Sequence, residues 1–449
     1  MASRFCVRGY IMATSSYNLN DLGSALGTDP STTQSITDYL SSQGLTNVDV
    51  QFDNYPPLDP NAELLVTDTT NPITINTDDP GAADLKVIVD GSTTSANVTV
   101  TGSGDVLVVT DGNDLVDLTG STGDNVVQTG QDDDTILGGG GADSMYGGSG
   151  NDSIVGGVGD NQLLDGGTGN DILKAGGGNF QTLDGGAGSD KLYGGSGNFE
   201  TLSGGSGNDQ LYGGTGDYET LSGGGGNDQI HGGSGDVELL QGDRGNDKLY
   251  GGSGNFETLD GGGGSDQIYG GSGNVELLKG GSGNDQLFGG SGNFETLTGG
   301  GGSDQLYGGS GAGQLLQGGS GNDWLFGGSG NFETLSGGGG SDQLFGGSGA
   351  QQLLEGGRGN DTFNAGGGDE TMLGGGGNDV FNLFNTTGND TVVGGSGHND
   401  VVNINQSYNP SDVSTDSGTG VTTVQLGGQT FTISGVETIQ FTDHTYKPS

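Results

Sequence analysis

Aspartate is the residue through which this chain of 449 residues is best placed to do chemistry. It recurs at Asp152, Asp171, Asp190, Asp209, Asp228, Asp247, Asp266, Asp285, Asp304, Asp323, Asp342 and Asp361, every step being 19 residues. Each stands behind a Gly-x-Gly loop except Asp247, where Gly242-Asp243-Arg244-Gly245 departs at the second glycine. Carboxylates repeated on stacked strands lie about 4.8 Å apart and repel one another unless cations stand between them. An aspartate can also cap its own turn through an Asx hydrogen bond. That use fits one or two positions and does not call for 12 in register. Carboxylates combined with loop carbonyl oxygens suit Ca²⁺, which takes six to eight oxygens, better than Mg²⁺ with its strict octahedron.

The spacing also names the elements that must position these acids. A nine-residue unit such as GGSGNDQLY (204–212) alternates with a ten-residue unit such as GGTGDYETLS (213–222). The second unit keeps the same period through Asp160, Asn179, Asn198, Asp217, Asp236 and onward, and a 38-residue rhythm of FETL against VELL, GQLL or QQLL overlies it. Alternation along a strand turns Asp209 and Leu211 inward and Gln210 and Tyr212 outward. Glycine clusters supply turns with positive φ. Each half-unit therefore predicts a short strand and a tight turn, and 19 residues one coil of a parallel β-solenoid. A helix is excluded, since glycine costs roughly 1 kcal/mol per residue in one. Looser copies such as GNDLVDL (112–118) and HNDVVNI (398–404) extend the pattern, giving about 15 to 16 coils from Asp105 to Asp400. The expected organisation is an N-terminal cap over 1–83, a roll over 84–404 with regular coils at 147–373, and a C-terminal β cap over 405–449.

Composition narrows the function. Acidic residues outnumber basic ones 57 to 10, for a net charge of −47, and 105 residues are glycine. Nucleic acid and anionic lipid are poor partners for such a surface. No apolar run reaches the ~18 residues of a membrane helix. Cys6 is the single cysteine, so no disulfide framework is expected. An ordinary secretory signal is missing after Arg4 and Arg8, and Met12 is an alternative start. In the N-terminal flank, Asp29, Pro30 and Gly44 delimit a helix over 31–43, and PITINTDDPG and LKVIVDG read as strands. In the C-terminal flank, VTTVQL and QTFTIS read as a hairpin around Gly427-Gly428, followed by a strand in VETIQFTD. Three histidines, His231, His398 and His444, and no catalytic motif point away from an enzyme.

The units GGSGNDQLY, GGGGNDQIH and GGSGNDWLF resemble the nonapeptide of the repeats-in-toxin (RTX) proteins, over roughly 105–400. The resemblance implies a β-roll with multiple Ca²⁺ ions held between successive turns by aspartates and Gly-loop carbonyls. Carried over by position, the ligands are Asp152 through Asp361 in steps of 19, extended by Asp143 and Asp379. Asp390 and Asp400 fit less well, because their units are 11 and 10 residues long. The other edge departs: in GGSGNFETL an aromatic takes the family's Asp position and Glu follows. Counted back from the core leucine, Glu200, Glu219, Glu238, Glu257, Glu276, Glu295 and Glu333 occupy the acid position, with Gln at 162, 181, 314 and 352. Glutamine is a poor Ca²⁺ ligand, so a calcium-poor edge bonded to loop N–H groups is favoured over a second ion column. The resemblance further implies folding on extracellular calcium and export by a type I secretion system that reads the C-terminal segment GVETIQFTDHTYKPS.

Two outward stripes remain. Tyr193, Tyr212, His231, Tyr250, Tyr269, Phe288, Tyr307, Phe326 and Phe345 form one; Phe180, Phe199, Tyr218, Val237, Phe256, Val275, Phe294 and Phe332 form the other. Stacking between coils accounts for part of this pattern, and a contiguous apolar face suits self-association. The expected function is a secreted, non-catalytic Ca²⁺-binding β-roll acting as a cell-surface, matrix or adhesin-type structural protein. Ice binding is the alternative, although the outward Thr rank it needs is reduced to Thr168. A toxin or hydrolase-associated module is the third reading.

Overall fold

The computed structural model describes residues 14–18, 47–52, 64–67, 72–78, 85–90, 95–384 and 387–448. Every regular element among them is a β-strand. The helix expected over 31–43 lies outside the described residues. The chain divides into two compact units, one comprising 1–210 and 214–216, the other 211–213 and 217–449.

In the first unit each coil from Val126 on contributes one six-residue strand and one three-residue strand, as in Thr182–Ala187 and Lys191–Tyr193. Like strands of successive coils pair in parallel, one coil apart: Leu163 lies against Thr182 and Ile172 against Lys191. In Thr201–Ser206 only Leu202 and Gly204 turn inward, giving the expected two-residue alternation. The loops continue the ladder, the N–H of Gly188 donating to the carbonyl of Ser206 at 2.8 Å. Gly186 and Gly188 hold φ of +93° and +143°, which a side chain resists. The strands expected in PITIN and LKVIVDG form at Ile73–Asn76 and Leu85–Asp90. They pair in parallel with Asn97–Gly102 and Asp105–Val109, so the parallel stack already runs upstream of residue 84.

The second unit repeats the scheme, with Leu239 against Thr258, Lys248 against Gln267, and so on. Its core is thin: each strand of the regular coils buries one large apolar side chain, such as Leu278 or Leu287, beside an acid or amide. The C-terminal hairpin forms as expected, Val421–Leu426 pairing antiparallel with Gln429–Ser434. Gly427 and Gly428 both have positive φ, 60° and 91°, as a two-residue turn of this hand requires. Gln429–Ser434 then joins Thr391–Gly395 in parallel, and Thr438–Gln440 joins Val401–Ile404, carrying both sheets into the C-terminal segment.

Both outward stripes are on the surface, with different geometry. From Tyr212 to Phe345 the rings stack in file with centroids 4.6–5.0 Å apart. The second stripe is more exposed, Phe294 reaching 66%, and its members are left-handed, with φ of 59° to 65° from Phe180 to Phe332. The ten-residue unit carries one residue more than the nine-residue unit, and the backbone absorbs it at the aromatic. A bulky side chain in that region is strained; the sequence pattern carries no sign of it.

Candidate metal centre

Asp152 to Asp361 all turn inward and are at most 1% exposed. One oxygen of each carboxylate is used by the neighbouring coil. The N–H of Asp171 donates to Oδ1 of Asp190 at 2.7 Å, and the N–H of Asp285 to Oδ1 of Asp304 at 2.8 Å. The link repeats from Asp114–Asp134 to Asp190–Asp209 in the first unit and from Asp228–Asp247 to Asp379–Asp400 in the second. The capping is therefore between coils, whereas the Asx reading placed it within a turn. Oδ2 is left over: in Asp152, Asp171 and Asp190, and in Asp247, Asp266, Asp285, Asp304, Asp323, Asp342, Asp361, Asp379 and Asp400, it is buried and has no hydrogen-bond partner.

What faces Oδ2 is a cradle only glycine leaves open. A Cβ on Gly185 would stand 2.6 Å from Oδ2 of Asp190 and 2.7 Å from the carbonyl oxygen of Gly204 in the next coil. Gly318 is placed in the same way between Oδ2 of Asp323 and the carbonyl of Gly337. Orphaned carboxylate oxygen, converging loop carbonyls and no competing side chain are a donor set for a hard cation. Among the described residues no three His, Cys, Asp or Glu side chains cluster for a metal. An ion held here would therefore draw much of its shell from the backbone. The loop at Asp247 keeps its form despite lacking a glycine, because Asp243 itself adopts a φ of 68°; Asp tolerates that region better than most residues.

Electrostatics demand a counter-charge. Burial, reinforced by the carboxylates of the adjacent coils, pushes Asp171, Asp304 and Asp342 up to about 7. A buried charge needs a partner, and the file supplies only like charges.

The structure redistributes three sequence expectations. Asp143, expected to extend the aspartate file, instead lies in the other column. It precedes the six-residue strand Ser144–Ser149, half a coil before Asp152, and its Oδ2 accepts from Gln162 at 3.2 Å. Asp400 does belong to the aspartate file, its Oδ1 accepting from the Asp379 N–H at 2.8 Å. Asp390 falls in the Glu/Gln column, opposite the N–H of Glu370. Asp114 and Asp134 also join the aspartate file; the looser repeats GNDLVDL and DDDTIL carried that signal.

The second column is interior, as expected. Glu200, Glu219, Glu238, Glu257, Glu276, Glu295 and Glu333 are at most 2% exposed. In Glu200, Glu238, Glu257, Glu276, Glu295 and Glu333, Oε2 accepts a loop N–H five residues back, from Gly195 to Glu200 at 2.7 Å and from Gly252 to Glu257 at 3.0 Å. Glutamine uses Oε1 for the same bond, Gly309 donating to Gln314 at 2.8 Å. Burial and the glutamates on either side push Glu257 up to about 8.

The chain matches the RTX calcium-binding nonapeptide repeat in 14 stretches between residues 119 and 402, which together cover more than half its length. Fold and match define the class, a structural calcium-binding β-roll. The chain belongs to the RTX calcium-binding repeat family. No curated protein matches it. Proteins with these repeats are generally secreted.

Proposed function

We propose that the protein is a secreted, non-catalytic scaffold that folds when it meets extracellular calcium. Its ions are held along the aspartate file, Asp152 to Asp361 with Asp379, by Oδ2 and Gly-loop carbonyls. The observation that carries this reading is the repeated buried Oδ2 without a hydrogen-bond partner. In low-calcium cytosol the file of carboxylates opposes folding and the thin apolar core does not outweigh it. Outside the cell, binding to the folded state alone supplies the missing free energy, about 2.7 kcal/mol per site at a hundredfold excess over the dissociation constant. Export unfolded through a type I system is consistent with that switch. Residues 84–404 form the calcium roll, with 1–83 and 405–449 as its flanking caps.

At the surface the molecule acts as a matrix or adhesin-type structural protein, associating with its own copies through the exposed aromatic stripe. The exposure of Phe256, Phe294 and Phe332 supports self-association. Circular dichroism during calcium titration of chelator-treated protein tests the folding step: strand signal should rise with calcium. A chain equally ordered in chelator would refute it.

A further inference from the structure

The Glu/Gln column carries a pattern that its hydrogen bonds decode. At glutamine positions one end of the amide is fixed, because a loop N–H can only donate to its oxygen: Gly157 to Gln162 at 2.7 Å, Gly309 to Gln314 at 2.8 Å, Gly347 to Gln352 at 2.7 Å. Nε2 must then point at the preceding coil. There it meets oxygens. Gln162 donates to the carbonyls of Gly139 and Gly141 at 3.3 and 3.1 Å and to Oδ2 of Asp143 at 3.2 Å. Gln314 donates to Oε2 of Glu295 at 2.7 Å, and Gln352 to Oε2 of Glu333 at 2.9 Å. The amide fills a cage of carbonyl and carboxylate oxygens between two coils with a positive dipole end.

Glutamate is nearly the same shape and takes the same loop N–H with Oε2. Its Oε1 therefore stands where glutamine places its donor. In Glu238, Glu257, Glu276 and Glu295 this oxygen is buried and has no hydrogen bond. Loop amides flank the carboxylates, those of Gly252 and Gly254 both favouring the charged form of Glu257. Where glutamate follows glutamate, the cage holds two carboxylates and no side-chain donor.

We infer that the glutamate run binds a second row of divalent cations, one between each of the pairs Glu238–Glu257, Glu257–Glu276 and Glu276–Glu295, and that Gln162, Gln314 and Gln352 close the equivalent cages with their own amides. The ligands are glutamate oxygens and loop carbonyls, and calcium is the cation this oxygen set suits. The ten-residue unit lacks aspartate at the nonapeptide position, so this row is a departure from the repeat that defines the family. The inference rests on the calcium-roll reading and adds to it a rule for which cages are metal-bearing: acid followed by glutamate is open, acid followed by glutamine is plugged.

Counting bound calcium per full-length chain by equilibrium dialysis tests it, with circular dichroism as the folding control. Glu257→Gln should lose one or two ions at unchanged fold, since glutamine is already accommodated at this position in other coils. Gln314→Glu should gain one or two. Asp304→Asn, in the other file, should lose calcium independently of both. If Glu257→Gln and Gln314→Glu keep the parental count while Asp304→Asn loses ions, the second row does not exist and the glutamates share protons instead. A parental chain that binds no calcium overturns both rows together.

Discussion

The main-chain N–H of Asp285 donates to Oδ1 of Asp304 at 2.8 Å, one coil further on, while Oδ2 of Asp304 is buried with no hydrogen bond. One carboxylate thus does two jobs: it caps the neighbouring backbone and presents a charged oxygen to the Gly-loop cradle. The two can be separated by substitution. Asp304→Asn keeps an oxygen acceptor and removes the charge, so the fold should survive with a higher calcium midpoint. Asp304→Ala also strands the Asp285 N–H, which costs a further ~1–3 kcal/mol. Thermal unfolding in saturating calcium distinguishes them: equal melting temperatures would show that the capping bond contributes nothing.

Acid should partly replace calcium. Ordinary values are ~3.9 for Asp and ~4.3 for Glu, and in the folded chain Asp342 and Glu333 rise to about 7 through burial. The folded metal-free state therefore binds more protons than the unfolded one, and its stability falls as pH rises from about 4 to about 7. With calcium present the sign reverses, because protons compete with the ion for the same oxygens. Circular dichroism in chelator should show more strand at pH 4–5 than at pH 8, by this linkage. Calcium affinity measured across the same range should climb with pH; flat profiles in both experiments would show that these carboxyls keep ordinary values.

The core has little redundancy. Leu278 is fully buried and is the one large apolar side chain that its strand buries, flanked by Leu259 and Leu297 in adjacent coils. Leu278→Ala should cost ~2–5 kcal/mol. Denaturant unfolding in calcium reads this directly, and a loss below 1 kcal/mol would mean that the coil collapses around the cavity.

The exposed stripe pays strain for its position. Phe294 holds a φ of 62° and lies against Gly313, whose Cβ would stand 2.9 Å from the ring. Phe294→Gly should leave stability unchanged or raise it, within the ~1–2 kcal/mol that the left-handed region costs, while sedimentation shows weaker self-association. A large drop in melting temperature with association intact would assign the ring to packing within the chain.

Much of this was legible along the chain. The 19-residue period, the inward apolar residue two places after each aspartate and the positive-φ glycines determine parallel coils and put the acids inside, because strand alternation and glycine's freedom are local properties. Only the stacked structure decided what each acid meets. It assigned Asp143 to the glutamate column and Asp400 to the aspartate file, paired Oδ1 with the next coil's N–H, put the Gln314 amide where Glu295 offers its oxygen, and strained Phe294 to absorb the extra residue. Those contacts join residues about a coil apart in sequence, and the third dimension alone sets which of their atoms face one another.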